Sequence, residues 1–150
     1  MDAEVYPDPR VAEFIMRHFI PVKIHIKEQP GMWKRFSVRW TPTILVMSPD
    51  GEEARRIEGF LPADELLAQL ELGLGFVAVN HKQWKEAEQE FRAVVDGHPD
   101  TDAAPEALYW AGVSKYSANH DAAALQELGQ AFRQRYTDTG WAKRASIWGG

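Results

Sequence analysis

Residues 40–60 carry the stretch of sequence that decides the fold, WTPTILVMSPDGEEARRIEGF. Thr43 to Met47 form a continuous apolar run, which is typical of a buried strand. Pro49-Asp50-Gly51 predicts a turn, because proline fixes φ and glycine tolerates a positive φ. Residues 54–59 (ARRIEG) then predict a short antiparallel partner for the first strand.

Before this stretch, the sequence predicts a helix, a strand and a second, short helix. Asp8-Pro9 predicts a helix start, because Asp can cap a helix and Pro suits its first position. Apolar residues at helical spacing continue this helix to about His18. Residues 20–26 (IPVKIHI) alternate between apolar and polar positions, which predicts a strand. A short helix is expected after the break at Gln29-Pro30-Gly31.

After residue 60 the pattern becomes helical. Pro62 opens a helix with acidic residues in its first turn, where the helix dipole favours them. From about Leu72 onward no strand pattern remains, so we predict one unit over residues 1–72 and a second, all-helical unit over residues 73–150, with no linker between them. The helices should be interrupted at Asn80-His81, His98-Pro99, Asn119-His120 and Thr139-Gly140.

The helical unit contains an internal repeat. Leu74-Gly75, Ala87, Phe91 and Pro99 resemble the pattern of a tetratricopeptide (TPR) repeat, and adding 37 residues moves them onto a second copy that includes Gly112, Ala124 and Leu128. The resemblance implies paired helices that bind a protein or peptide on a concave face. The alternative is that these helices only extend and cap the first unit.

Residues 1–72 resemble the later part of a thioredoxin-family domain. The resemblance lies in Asp8-Pro9-Arg10-Val11-Ala12, Phe19–Ile24, Val38–Thr43 and Pro49-Asp50-Gly51. It implies an incomplete α/β thioredoxin-like N-terminal half, followed by the all-α TPR-like C-terminal half.

The same resemblance implies a binding edge. Pro42 fits the cis-proline of the family, and Trp40, Thr41 and Pro42 would line an edge that binds a protein or an extended peptide. The family's Cys-x-x-Cys pair is absent, and the chain has no cysteine at all. The expected function is therefore a non-catalytic binding module. The alternative is the C-terminal portion of a thiol–disulfide oxidoreductase whose Cys-x-x-Cys pair lies upstream of Met1.

The family fold also contains a central strand that this chain lacks. That strand would separate residues 20–26 from residues 43–48, so their facing edges should be unpaired. We expect the two segments either to pair directly or to take a strand from another copy, which would make a homo-oligomer.

Composition excludes several other functions. The 150 residues carry a net charge of −5, and neither half is basic, so nucleic acids and anionic membranes are not expected partners. No apolar run is long enough to span a membrane, and the acidic N-terminus does not resemble a signal peptide, so the cytoplasm is the default compartment. The five histidines show no metal-ligand spacing. We therefore predict no catalytic residue, no metal and no cofactor.

Several single residues have expected positions. Trp110 is predicted to be partly exposed and to act as a binding anchor on the helical surface. Glu86, Glu88 and Glu90 are expected on an exposed helix face. Gly73 and Gly75 are expected to permit close helix packing. The histidines at positions 81, 98 and 120 are expected to cap helix ends.

Overall fold

The computed structural model describes residues 5–149. In chain order, the elements of this part are the helices α1 (Pro9–His18) and α2 (Pro30–Arg35), the strands β1 (Thr43–Met47) and β2 (Glu53–Glu58), and the helices α3 (Ala63–Asn80), α4 (Trp84–Gly97), α5 (Ala103–Asn119), α6 (Ala123–Gln134) and α7 (Gly140–Ala145), followed by a 3-10 turn at Ser146–Trp148.

Helix α1 begins where the sequence predicted. The Asp8 carboxylate accepts a hydrogen bond from the backbone N–H of Arg10 at 2.9 Å, and Pro9 occupies the first helical position. Val11 is fully buried in a cluster that includes Leu66 and Leu70 of α3. The apolar face of α1 therefore packs against α3.

The predicted hairpin is present. β1 and β2 pair antiparallel from Thr43 opposite Glu58 onward, and the register shifts after Val46, where β2 carries one extra residue. The shift resembles a β-bulge, which bends the strand that holds the extra residue. A Cβ on Gly73 would lie 2.9 Å from Val46 Cγ2, so glycine lets α3 lie directly against the sheet.

The prediction of a strand at residues 20–26 is wrong for this structure. These residues form neither a strand nor a helix, and within residues 5–149 the sheet contains only β1 and β2. Residues 20–26 therefore do not pair directly with β1. An alternating sequence supplies the two faces of a strand, but the structure forms only where a neighbouring strand offers hydrogen bonds.

The helix boundaries agree with the predicted breaks. α3 ends at Asn80, α5 ends at Asn119, and Thr139 caps α7 by accepting a hydrogen bond from Ala142 N. His81 Nδ1 lies 2.8 Å from the carbonyl oxygen of Val77, which confirms the expected capping role for this histidine.

The helices pack in pairs that repeat along the chain. A Cβ on Gly75 of α3 would lie 2.4 Å from Phe91 Cε1 of α4, and a Cβ on Gly112 of α5 would lie 2.7 Å from Leu128 Cδ2 of α6. These two glycine contacts are related by the 37-residue period of the sequence. Glycine therefore lets a large side chain of the second helix approach the backbone of the first in both pairs.

The 37-residue period also relates the loops that follow the two helix pairs. Tyr136 stands 37 residues after Pro99, and its hydroxyl donates a hydrogen bond to the Pro99 carbonyl at 2.6 Å. The loop after α6 is thus fastened to the loop after α4.

Helix α3 takes part in two hydrophobic cores. Leu66, Leu67 and Leu70 face the core that contains β1, β2 and α1. Ala68 and Leu72 face the core of helices α4 to α7. Leu72, where we predicted the boundary, lies in the middle of this continuous helix, and the division into two units stays a prediction.

Candidate functional site

Trp40 lies on a loop that is fastened to the hairpin. The Thr43 hydroxyl donates to the Trp40 carbonyl at 2.6 Å, and the Arg56 guanidinium donates to the carbonyls of Phe36 and Ser37. The Trp40 side chain nevertheless remains 64% exposed. An exposed indole on a fixed backbone loses little conformational entropy when it is covered.

The outer edge of β1 lies beside this loop. Gly59 N–H donates to the Pro42 carbonyl at 2.7 Å, so the backbone groups of Pro42 point toward β2. Because these groups alternate along an antiparallel strand, those of Thr43 and Leu45 point away from β2. In residues 5–149 they have no backbone partner on that side. The Thr41-Pro42 bond is cis, in agreement with the expectation from the resemblance.

The segment 20–26 exposes much of its apolar surface. Ile20 is 93% exposed and Val22 is 76% exposed, and Ile24 and Ile26 are also exposed. Among the described residues, the backbone groups of Ile20, Val22 and Ile24 make no hydrogen bond. Such a segment presents both apolar side chains and unused backbone groups to solvent.

Trp110 lies apart from this edge, on α5. Its ring packs edge-to-face on the rings of Phe76 of α3 and Tyr109, with 5.5 Å between ring centroids in both pairs. Trp110 is therefore half-buried in the helical core. Its Nε1 is buried and has no hydrogen-bond partner within residues 5–149. The structure does not bring Trp110 together with Trp40, Thr41 and Pro42, and its role as a binding anchor stays a prediction.

A second place of interest is a cavity of about 250 Å³ between α1, α3 and the loop after α4. Glu71 of α3 faces it, with its carboxylate 3.9 Å from His98 Nε2. Burial raises the pKa of Glu71 to about 7, and the negative charge of Glu90 adds to this increase. The residues that line the cavity are Arg10, Glu13, Phe14, Arg17, His18, Leu67, Glu71 and His98.

The expectation that Glu88 and Glu90 are exposed is wrong. Glu86 is exposed, but Glu88 and Glu90 are partly buried, because α4 packs between α3 and α5. Burial raises the pKa of Glu90, and His18 opposes that increase. One carboxylate oxygen of Glu88 is buried without a hydrogen bond in the described chain, beside a second cavity of about 370 Å³ near Trp84.

Neither cavity has the arrangement of a metal centre. In the described residues, no group of three or more His, Cys, Asp or Glu side chains is placed to hold a metal ion. Within residues 5–149, no helix has both the length and the apolar character needed to cross a membrane.

Comparison with known proteins gives a match to a family model. Residues 1–74 match the family model of the thioredoxin-like domain. No curated protein and no solved structure matches the chain.

Proposed function

We propose, from the premise that residues 1–74 are a thioredoxin-like domain, that this chain is a non-catalytic module that binds an extended peptide along the outer edge of β1. The observation that carries the proposal is the row of outward-facing backbone groups at Thr43 and Leu45. An extended peptide would add to β1 as a further strand, because main-chain hydrogen bonds give affinity to any chain of suitable shape.

The loop beside β1 supports the same proposal. Trp40 is exposed, yet its backbone is held by the Thr43 hydroxyl. Aromatic side chains of this kind contribute much of the binding energy at interfaces. Trp40, Thr41 and Pro42 would therefore contact the first residues of the bound peptide, and the edge of β1 would align the rest.

The helices α3 to α7 form the second part of the proposal. The glycine contacts at Gly75 and Gly112 recur at the 37-residue period, which supports TPR-type repeats. Repeats of this type stack into curved surfaces that bind other proteins. The alternative, that these helices only cap the first unit, predicts no partner on this surface.

A second candidate function is thiol–disulfide exchange by a longer protein that carries a Cys-x-x-Cys pair before this segment. The thioredoxin-like match over residues 1–74 favours it. The chain itself has no thiol, so it should not reduce insulin above the background rate. Reading the DNA in frame upstream of Met1 tests this candidate directly, because the absence of such a codon pair contradicts it.

Binding at the β1 edge is tested with a labelled peptide of alternating Val and Thr and its N-methylated counterpart. Fluorescence anisotropy should show binding of the first peptide only, because N-methylation removes the ladder donors. Trp40→Ala should weaken binding by about tenfold. The control Ile147→Ala removes another highly exposed apolar side chain, from the C-terminal turn, and should have no effect. Equal binding of both peptides would contradict strand addition.

A further inference from the structure

The exposed segment 20–26 has one edge that is suited to pairing and one that is not. Pro21 has no N–H, and the His25 carbonyl already accepts hydrogen bonds from Glu28 and Gln29. Along an extended chain, these two residues present their backbone groups on the same edge. The opposite edge, formed by Ile20, Val22 and Ile24, keeps all of its donors and acceptors.

The segment and the hairpin also have opposite charges. The segment and the residue that follows it, residues 20–27, contain two Lys and no Asp or Glu, whereas residues 43–58 contain four Asp or Glu against two Arg. Arg55 is already paired with Glu106. Glu53 is paired with Arg56 and Glu58 with Arg39, so Asp50 and Glu52 at the turn carry the remaining negative charge. A basic, apolar segment of one molecule therefore complements the acidic hairpin of another.

Exposed apolar side chains are concentrated in the part of the molecule up to residue 60. Of the eight large hydrophobic residues with high exposure in the described chain, only Ile147 lies beyond residue 60. Met16 and Phe60 belong to this set, in addition to Trp40 and the segment itself. Concentrated apolar surface of this kind is typical of an interface.

We infer that the segment 20–26 of a second copy occupies the outer edge of β1, and that two copies exchange their segments about a two-fold axis. The inference rests on the proposed function, because it names the occupant of the same edge. Each copy holds one donor segment and one acceptor edge, so a single symmetric contact satisfies both, and the assembly closes at two. The pairing edge is that of Ile20, Val22 and Ile24.

Sedimentation equilibrium of the full chain tests this inference. The mass should rise with concentration from 17.0 kDa toward twice that value. Val22→Lys should raise the dissociation constant of the dimer at least about tenfold, because a charge replaces an apolar side chain at the interface. Since Val22 is 76% exposed, this variant should keep its fold. The matched control His25→Lys introduces a lysine on the opposite face and should leave the mass unchanged.

Amide exchange gives a second measurement on the same samples. The amides of Ile20, Val22, Ile24 and Leu45 should become protected as concentration rises. A single 17.0 kDa species at every concentration, with unprotected amides, would overturn the inference.

Peptide binding to the Val22→Lys variant distinguishes a wrong occupant of the β1 edge from a wrong proposed function. The labelled Val/Thr peptide is added to Val22→Lys, in which the edge of β1 is unoccupied. If wild type stays monomeric and the peptide binds, the edge is functional and the second copy is the wrong occupant. If the peptide does not bind to monomeric Val22→Lys, the proposed function is wrong whatever the mass of the wild type.

Discussion

At the scale of single residues, two glycines determine how closely the paired helices approach. Phe91 is fully buried and packs against the backbone of α3 at Gly75, and Leu128 does the same at Gly112. Because protein interiors are close-packed, neither side chain has space to retreat from an added methyl group. The absence of a Cβ at these positions is therefore a requirement of packing and does not serve backbone flexibility.

Replacing Gly75 with alanine should destabilise the protein despite alanine's better helix propensity. We expect Gly75→Ala to lower the free energy of unfolding by about 1–3 kcal/mol, because the new Cβ overlaps the Phe91 ring. In the control Gly97→Ala, the new Cβ meets no heavy atom of the described chain within 4 Å. That variant should be unchanged or more stable by up to about 1 kcal/mol. Urea unfolding of both variants decides the question, and equal stabilisation would contradict the close approach at Gly75.

At the scale of elements, α1 is attached to α3 beside a cavity that contains ionisable groups. Glu71 is the most affected of these groups, since its side chain is only 17% exposed. The charged or titratable residues that face it are Glu90, His98, Arg10, Glu13, Arg17 and His18. Burial and the Glu90 charge both favour the protonated form of Glu71.

The stability of the protein should depend on pH through Glu71. Its pKa is about 7 in the folded chain and 4.5 in the absence of the fold, so its stabilising contribution is complete below pH 4.5 and is lost as the pH rises through 7. Glu71→Gln should therefore raise the free energy of unfolding at about pH 8, by up to about 3 kcal/mol, and change it little at about pH 4.

Thermal unfolding across this pH range provides the measurement. Glu86→Gln removes an exposed carboxylate from the neighbouring helix and should leave the pH dependence of the wild type intact. A Glu71→Gln variant that follows the wild-type curve would show that this carboxylate is not responsible.

The sequence predicted the elements whose ends are determined by residues close to them in the chain. Asp8-Pro9 and the breaks at Asn80-His81 and Thr139-Gly140 fix helix ends through caps and turns within a few residues. The segment 20–26 has the alternation of a strand, but strand formation depends on a neighbour that lies elsewhere. The Glu71–His98 cluster was missed for the same reason, because its members stand on different elements and Glu71 lies between apolar residues of α3.

At the scale of the whole molecule, a largely buried ion pair joins the hairpin to the helices. Arg55 of β2 donates to both carboxylate oxygens of Glu106 on α5, at 2.8 and 3.0 Å, and to Gln69 on α3 at 3.0 Å. The Glu106 side chain is only 13% exposed. Bidentate pairs of this kind are directional as well as strong, so the contact orients β2 relative to α5.

Removing this ion pair should loosen the hairpin. Arg55→Met leaves the Glu106 carboxylate without its partner, and we expect a loss of about 1–3 kcal/mol in the free energy of unfolding. Amide exchange at Ile44 and Ile57 should accelerate as well. Arg39→Met is the matched control, because its exposed pair with Glu58 should contribute little. If the two variants behave alike, the Arg55–Glu106 pair does not join the hairpin to the helices.

The continuous course of α3 through both cores has a consequence for the gene. One codon inserted near Leu72 would rotate every later residue of the helix by about 100° relative to the earlier ones. Gly75 would then turn away from Phe91 while Leu66 and Leu70 stayed in place. An insertion of about seven or about eleven codons, close to two or three full turns, brings the later residues back to nearly their original angle. Recombination that exchanges one half of this protein for another is therefore constrained by helical phase as well as by reading frame.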